Sequence, residues 1–265
     1  MTNNIIIVPD VHCRGFYKEV LNVKDKKVVF LGDYMDPYHY EGTTDEQGVE
    51  NLKEIFDYAR NNKNVTLLAG NHDCSWIWSW LGWERTHYEH YHTLHKLYRD
   101  NIDLLHPCLQ VEDVLFTHAG VSGGWIEAMN RSFELEGSDF RLTKDNVIPY
   151  IENEFTIELK NDLADHPRIY GGTLRSPIFC VGRSRGGNAP YGGPFWSDFN
   201  YDYRDPENWN LTQIFSHTQR EETGSVGRKG NGYCVDSRAI FEYDPKSQII
   251  SLWHEENSEK NELVK

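Results

Sequence analysis

The chain has 265 residues, with 41 acidic against 27 Lys and Arg side chains and a formal net charge of −14. It is long enough to bury a large core, and its acidity argues against a general nucleic-acid or anionic-membrane binder, which presents a basic face. Five scattered cysteines without a C-x-x-C pair argue against a disulfide framework and fit a reducing cytoplasm. No basic start followed by a long apolar run and no stretch near ~20 apolar residues argues for secretion or membrane insertion.

In chain order, five apolar runs each end in side chains of metal-binding type. IIIVPDVH ends in Asp10 and His12, VVFLGDYMD in Asp33 and Asp36, VTLLAGNHD in Asn71 and His72, VLFTHAG in His118, and QIFSHT in His217. Each run predicts a buried strand with its polar residue at the exit. Ligands of open α/β sheets collect outside the carboxyl ends of the strands, so five such exits predict one composite site.

Between the runs, TTDEQGVENLKEIFDYARNN offers Thr43, Thr44 and Asp45 as N-caps and sets Val49, Leu52, Ile55, Phe56 and Ala59 at helical spacing, which predicts a crossover helix. A second helix is expected after GNHD and another over Asn146 to Leu163. Trp76, Trp80 and Trp83 fall at helical spacing and read as core packing. His87, His90, His92 and His95 read as a solvated or partly packed face, because no carboxylate at matching spacing completes a metal set. Tyr233 to Val235, Ile240 to Tyr243 and Ile249 to Trp253 read as strands extending a sheet, with Asp244-Pro245 supplying a turn. One domain over 1–254 is expected, followed by a charged tail over 255–265 that reads as frayed.

Asp, Asn carbonyl and neutral His, with no convincing thiolate, suit Mn, Fe or Zn better than a closed structural zinc site. Asp10 and His12 lie on one side of an extended segment and can hold one ion. Asp33, arriving from a neighbouring strand, can bridge it to a second ion completed by Asn71, His118 and His217. Two ions roughly 3.5–4 Å apart clamp a phosphoryl group and generate hydroxide near neutral pH.

The ordered set D-x-H, G-D-x-x-D, G-N-H-D, H-A-G and S-H-T resembles the calcineurin-like metallophosphoesterases, especially their phosphoprotein-phosphatase branch. Phe195-Trp196-Ser197-Asp198 is similar to that branch's tryptophan-serine-aspartate segment, and GYCVDSRAIFEYD to its closing strand pair. The likeness extends over residues 4 to 254 and implies a four-layer α/β/β/α sandwich with a dinuclear metal centre at its rim. The sequence departs from the family pattern at several points. Pro9 and Cys13 stand where glycines are usual, and Ser216 replaces another. Asp36-Pro37-Tyr38 lacks the usual phosphate-gripping arginine. Gln219 stands where many relatives carry a second His, which this branch also lacks.

These readings lead to a metal-dependent phosphomonoesterase resembling serine/threonine protein phosphatases, with Mn as the first choice of metal. Its mechanism is in-line attack of a metal-bridging hydroxide on phosphorus. His72 follows Asn71 directly, so an extended backbone would point it away from the metals and free it to protonate the leaving group. Asp36 would orient it, and the resemblance implies the same acid. Asn71 would also hold phosphate oxygens. Arg183 and Arg185, in a Gly-rich stretch before Trp196, are the first candidates to replace the missing arginine, with Arg14 as another. Hydrolysis of diadenosine tetraphosphate or another nucleotide phosphoanhydride needs the same centre. A third reading, motivated by the missing arginine, is a metal-stabilised binding protein without turnover.

Overall fold

A computed structural model describes residues 4–78, 85–163 and 176–253. Trp80, Trp83 and the tail at 255–265 lie outside the described residues. Among the described residues two sheets carry the fold. The first has six strands, in the order β11-β10-β1-β2-β3-β4, formed by β1 (Ile5–Val8), β2 (Lys27–Phe30), β3 (Val65–Leu68), β4 (Leu105–His106), β10 (Phe241–Asp244) and β11 (Ile249–Leu252). The second has five, in the order β5-β6-β7-β9-β8, formed by β5 (Cys108–Val111), β6 (Val114–Thr117), β7 (Thr212–Phe215), β8 (Gly227–Lys229) and β9 (Gly232–Cys234). β1, β2, β3 and β4 run parallel to one another, as do β6, β7 and β9, so both sheets carry a run of carboxyl ends along one edge.

Side-chain parity shows how the sheets are layered. Strand residues alternate faces, and Ile5, Ile7 and Val29 join Val114, Phe116 and Ile214 in one apolar cluster, sandwiched between the two sheets. The alternate residues Ile6, Val8, Val28 and Phe30 pack with helix residues instead. On the first sheet those helices are α1 (Asp45–Asn61) and α3 (Tyr91–Asp100). On the second, Leu115 shares the cluster with α4 (Gly123–Leu135) and α5 (Val147–Leu163). The result is helix, sheet, sheet, helix, with strands buried on both faces, which explains why they read as unbroken apolar runs.

α1 starts where its sequence signals place it. Of the three cap candidates Thr44 takes the role: its Oγ1 accepts from Gln47 N at 3.3 Å while Gln47 Oε1 accepts from Thr44 N at 3.1 Å. Val49, Leu52, Ile55 and Phe56 are buried against the sheet.

Two readings need correction. The helix expected after GNHD begins within the motif, as α2 (Asn71–Ile77), because the Asp73 carboxylate accepts from Gly70 N at 2.8 Å and closes the first turn. His72 therefore diverges from Asn71 by helical rotation and not by strand alternation. The C-terminal strands also do not extend a single sheet: β9 belongs to the second, while β10 and β11 form an edge of the first. Trp76 is buried, as read.

Candidate metal centre

The residues after β1, β2 and β3 meet those after β6 and β7, so the composite site is shared by the carboxyl edges of two sheets. His12 Nε2 lies 3.8 Å from Asp10 Oδ2 and 3.6 Å from Asp33 Oδ2. On the other side of Asp33, the same Oδ2 is 3.5 Å from His118 Nε2. His118 Nε2 is in turn 2.9 Å from Asn71 Oδ1 and 3.1 Å from His217 Nδ1. The six residues read as ligands thus form one continuous cluster with Asp33 in its middle.

Left-handed backbone aims several of these groups. His12, Cys13, Asp33, Asp36 and His217 have φ of 43°, 64°, 52°, 68° and 68°. Non-glycine residues adopt this region at a cost, and such strain gathers at functional sites. Cys13 therefore keeps the backbone conformation of the glycine expected there. Gly32 and Gly70 have a different requirement: a Cβ on Gly32 would strike the Gly70 backbone, and one on Gly70 would strike the Asp33 carboxylate. Asp73 ties these two turns together, accepting from Asp33 N at 2.7 Å, Tyr34 N at 3.0 Å and Tyr98 Oη at 2.6 Å. Ser216, where a glycine is expected, accepts from Asp10 N at 3.1 Å.

The cluster fits cations on three grounds. His118 Nδ1 donates to Leu31 O at 2.8 Å, so Nε2 of the neutral ring is a lone pair facing Asn71 Oδ1. His12 Nδ1 lies 3.0 Å from both Met35 O and Arg85 Nη2, and the tautomer that donates to Met35 O turns its Nε2 lone pair toward Asp10 and Asp33. His217 Nε2 is buried without a hydrogen-bond partner among the described residues. Burial lowers the pKa of His12, His118 and His217, which keeps them in the neutral, ligating form. The carboxylates point the same way. Burial, reinforced by Asp236 and Asp33, raises the pKa of Asp10 well above its usual range. Burial and Asp33 together push Asp73 up to about 7, and Asp236 also reaches about 7. Buried carboxyls crowded this closely ionise together only beside positive charge.

His72 stands at the rim, its side chain 17% exposed. Its Nδ1 lies 2.7 Å from Asp36 Oδ2, and its backbone N–H donates to Asp33 Oδ1 at 2.9 Å. Burial alone would lower the His72 pKa, but the Asp33 charge and the Asp36 hydrogen bond raise it on balance. The other Asp36 oxygen accepts from Thr86 Oγ1 at 2.6 Å and Thr86 N at 3.2 Å, which fixes the carboxylate.

The arginines separate. Arg185 Nε pairs with Asp198 Oδ2 at 2.8 Å while its Nη2 donates to Thr218 Oγ1 at 3.0 Å, so it lies beside His217. Trp196 packs edge-on to the His217 ring, with centroids 5.7 Å apart. Arg183 is exposed. Arg14 is engaged at both ends by Glu41, with Nε to Oε2 at 2.7 Å and Nη2 to Oε1 at 3.1 Å.

Sequence reasoning missed Arg85. It donates to Asp36 O at 2.6 Å and Pro37 O at 3.3 Å, and its guanidinium lies 4.0 Å from the Tyr38 ring centroid. A guanidinium from another segment thus stands against the Asp36-Pro37-Tyr38 turn whose own arginine is missing. No motif marks it. Asp236 was also missed, although it follows β9 in GYCVD and the strand-exit rule applied once more would have found it.

Comparison with known proteins agrees with this geometry. The family model described as calcineurin-like phosphoesterase matches residues 4–159. A symmetrical bis(5'-nucleosyl)-tetraphosphatase of Buchnera aphidicola subsp. Schizaphis graminum is 26% identical over 141 residues, which are 50% of this chain and 50% of that protein. The chain thus matches about half the length of this curated relative. Among solved structures, a cold-active protein-tyrosine phosphatase of a psychrophilic Shewanella superposes with a TM-score of 0.58 at 17% identity, covering 96% of this chain and 81% of that one. A point mutant of a cold-active protein tyrosine phosphatase gives 0.58 at 16% identity with the same coverage. At these identities the two structures speak for the fold alone. No helix among the described residues is long and apolar enough to cross a membrane.

Proposed function

This chain belongs to the calcineurin-like phosphoesterase family, and we propose that it is a hydrolase of phosphomonoesters that works with two divalent metal ions, Mn first among them. The observation that carries the reading is the lone-pair cluster of His118, Asn71 and His217, joined through Asp33 to Asp10 and His12. Asp10, His12 and Asp33 would hold one ion, and Asp33, Asn71, His118 and His217 the other. When bound, the pair would activate water and neutralise charge on the phosphoryl oxygens.

The remaining chemistry belongs to the chain's own side chains. His72 donates a proton to the leaving oxygen, and Asp36 holds its ring through Nδ1 and stabilises its charged form. Asp36 can do this because Thr86 saturates its second oxygen. Arg85 and Arg185 flank the centre from the sides of His12 and His217, and the N–H groups of each guanidinium beyond those held by Pro37 and Asp36 or by Asp198 and Thr218 bind phosphate oxygens. Asn71 assists them. The five free cysteines and the acidic surface suit a cytoplasmic protein acting on small phosphoesters or phosphoproteins. On this reading the function belongs to one domain over 1–254.

Cleavage of a nucleotide phosphoanhydride is the second reading, favoured by the name of the curated relative. The test is a substrate panel on chelator-stripped protein with and without Mn: aryl phosphate, phosphoserine and phosphotyrosine peptides, and diadenosine tetraphosphate. Mn-dependent release of inorganic phosphate from the monoesters supports the first reading. Turnover confined to diadenosine tetraphosphate supports the second, and no turnover of any of them in metal-loaded protein refutes both.

A further inference from the structure

Away from this centre, three segments bring together a second set of ligand-type side chains. His39 opens a 3-10 turn (His39–Glu41), Asp45 opens α1, and His87 follows Thr86. His39 Nε2 lies 3.1 Å from Asp45 Oδ1, and His87 Nδ1 lies 2.7 Å from Asp45 Oδ2. The two imidazoles stack, with centroids 5.4 Å apart and planes at 27°. One nitrogen from each ring and one carboxylate oxygen all fall within 4.8 Å of one another. Ligand atoms at ~2.0–2.1 Å from a tetrahedral ion are about 3.3 Å apart, so a slight opening of the rings admits one. The carboxylate for His87 thus comes from α1 and not from its own segment, where the sequence offered none at matching spacing.

Burial differs across the set in a useful way. The Asp45 side chain is 2% exposed and is anchored by the backbone N–H of His87 at 2.9 Å, whereas the side chains of His39 and His87 are 43% and 70% exposed. A fixed buried carboxylate with two accessible imidazoles leaves an open side for solvent, as in sites with three protein ligands. Two imidazoles and one carboxylate are borderline donors, the choice of zinc over magnesium or calcium.

We propose that His39, Asp45 and His87 form a further, zinc-binding site distinct from the phosphoesterase centre. Its consequence follows from chain connectivity. Thr86 and Arg85 immediately precede His87 and supply the donors that hold Asp36, so an ion here fastens that turn to α1 and steadies the partner of His72. The site does not depend on which phosphoester the first centre cleaves.

The test uses the full-length protein stripped by chelator and titrated with Zn²⁺. Wild type should bind one equivalent more than the double variant His39→Gln/His87→Gln, whose amides can still hydrogen-bond Asp45. Equal stoichiometry in two folded proteins overturns the proposal and leaves the cluster a hydrogen-bonded cap. A second measurement needs no variant: carbethoxylation of wild type, followed by peptide mass, should slow at least tenfold at His39 and His87 on adding Zn²⁺, while exposed His92 is unchanged. Unchanged rates at His39 and His87 also overturn it.

Discussion

On the proposed mechanism, single residues divide the chemistry between holding metal and moving a proton. His72 touches Asp36 and Asp33 but offers its ring to the rim, so its loss should leave metal content intact. We expect His72→Asn to lower kcat ~10²–10⁴-fold on alkyl phosphates, and less on an aryl phosphate whose leaving group needs no proton. Metal analysis beside steady-state kinetics checks this, and loss of an ion in that variant would make His72 a ligand. Arg85 invites a second substitution. A hydrogen bond to a charged group is worth ~1.5–3 kcal/mol, so Arg85→Ala should reduce kcat/KM roughly 10- to 150-fold and weaken inhibition by product phosphate. Arg85→Lys should not restore either value, because the ammonium lacks the fork. If Arg85→Ala leaves both values unchanged while Arg183→Ala or Arg185→Ala alters them, the clamp belongs to that loop.

Elements explain what could be read in advance. The strand exits were legible because strands buried on both faces leave unbroken apolar runs, and the first polar residue after each run lies at the sheet edge by necessity. α1 was legible through its cap and its apolar spacing. α2 was misplaced because GNHD looks like a loop until Asp73 is seen to bond Gly70 N and the Asp33 turn together. Arg85 was invisible because its meaning lies in a turn 48 residues earlier in sequence, at Pro37. The start of α1 also carries a pH signature. Burial would raise the Asp45 pKa, but the His87 N–H and the hydrogen bonds from His39 and His87 hold it below the usual value. A carboxyl lowered on folding stabilises the native state above its unfolded pKa of ~3.9 and loses that contribution as pH falls through the native value. In metal-free protein, Asp45→Asn should therefore unfold at lower urea than wild type at pH 7, and the gap should close below about pH 4. A gap independent of pH would remove Asp45 from this role.

At the scale of the whole molecule, the fold sets an acidic protein the task of attracting an anionic substrate. Its buried carboxyls Asp10, Asp73 and Asp236 gather around Asp33 where two sheets meet; burial and neighbouring charge raise the pKa of those three, and bound cations would favour their ionised forms. Sharing the site between sheets also makes it depend on their packing, since Asp33 belongs to one and His118 to the other. The central claim is that this junction holds two ions bridged by Asp33. Anomalous X-ray diffraction from crystals soaked in Mn²⁺ tests it most directly. The account predicts two anomalous peaks, one beside Asp10 and His12 and one beside Asn71, His118 and His217, with the Asp33 carboxylate between them. A single peak, or none among these six residues, would contradict it.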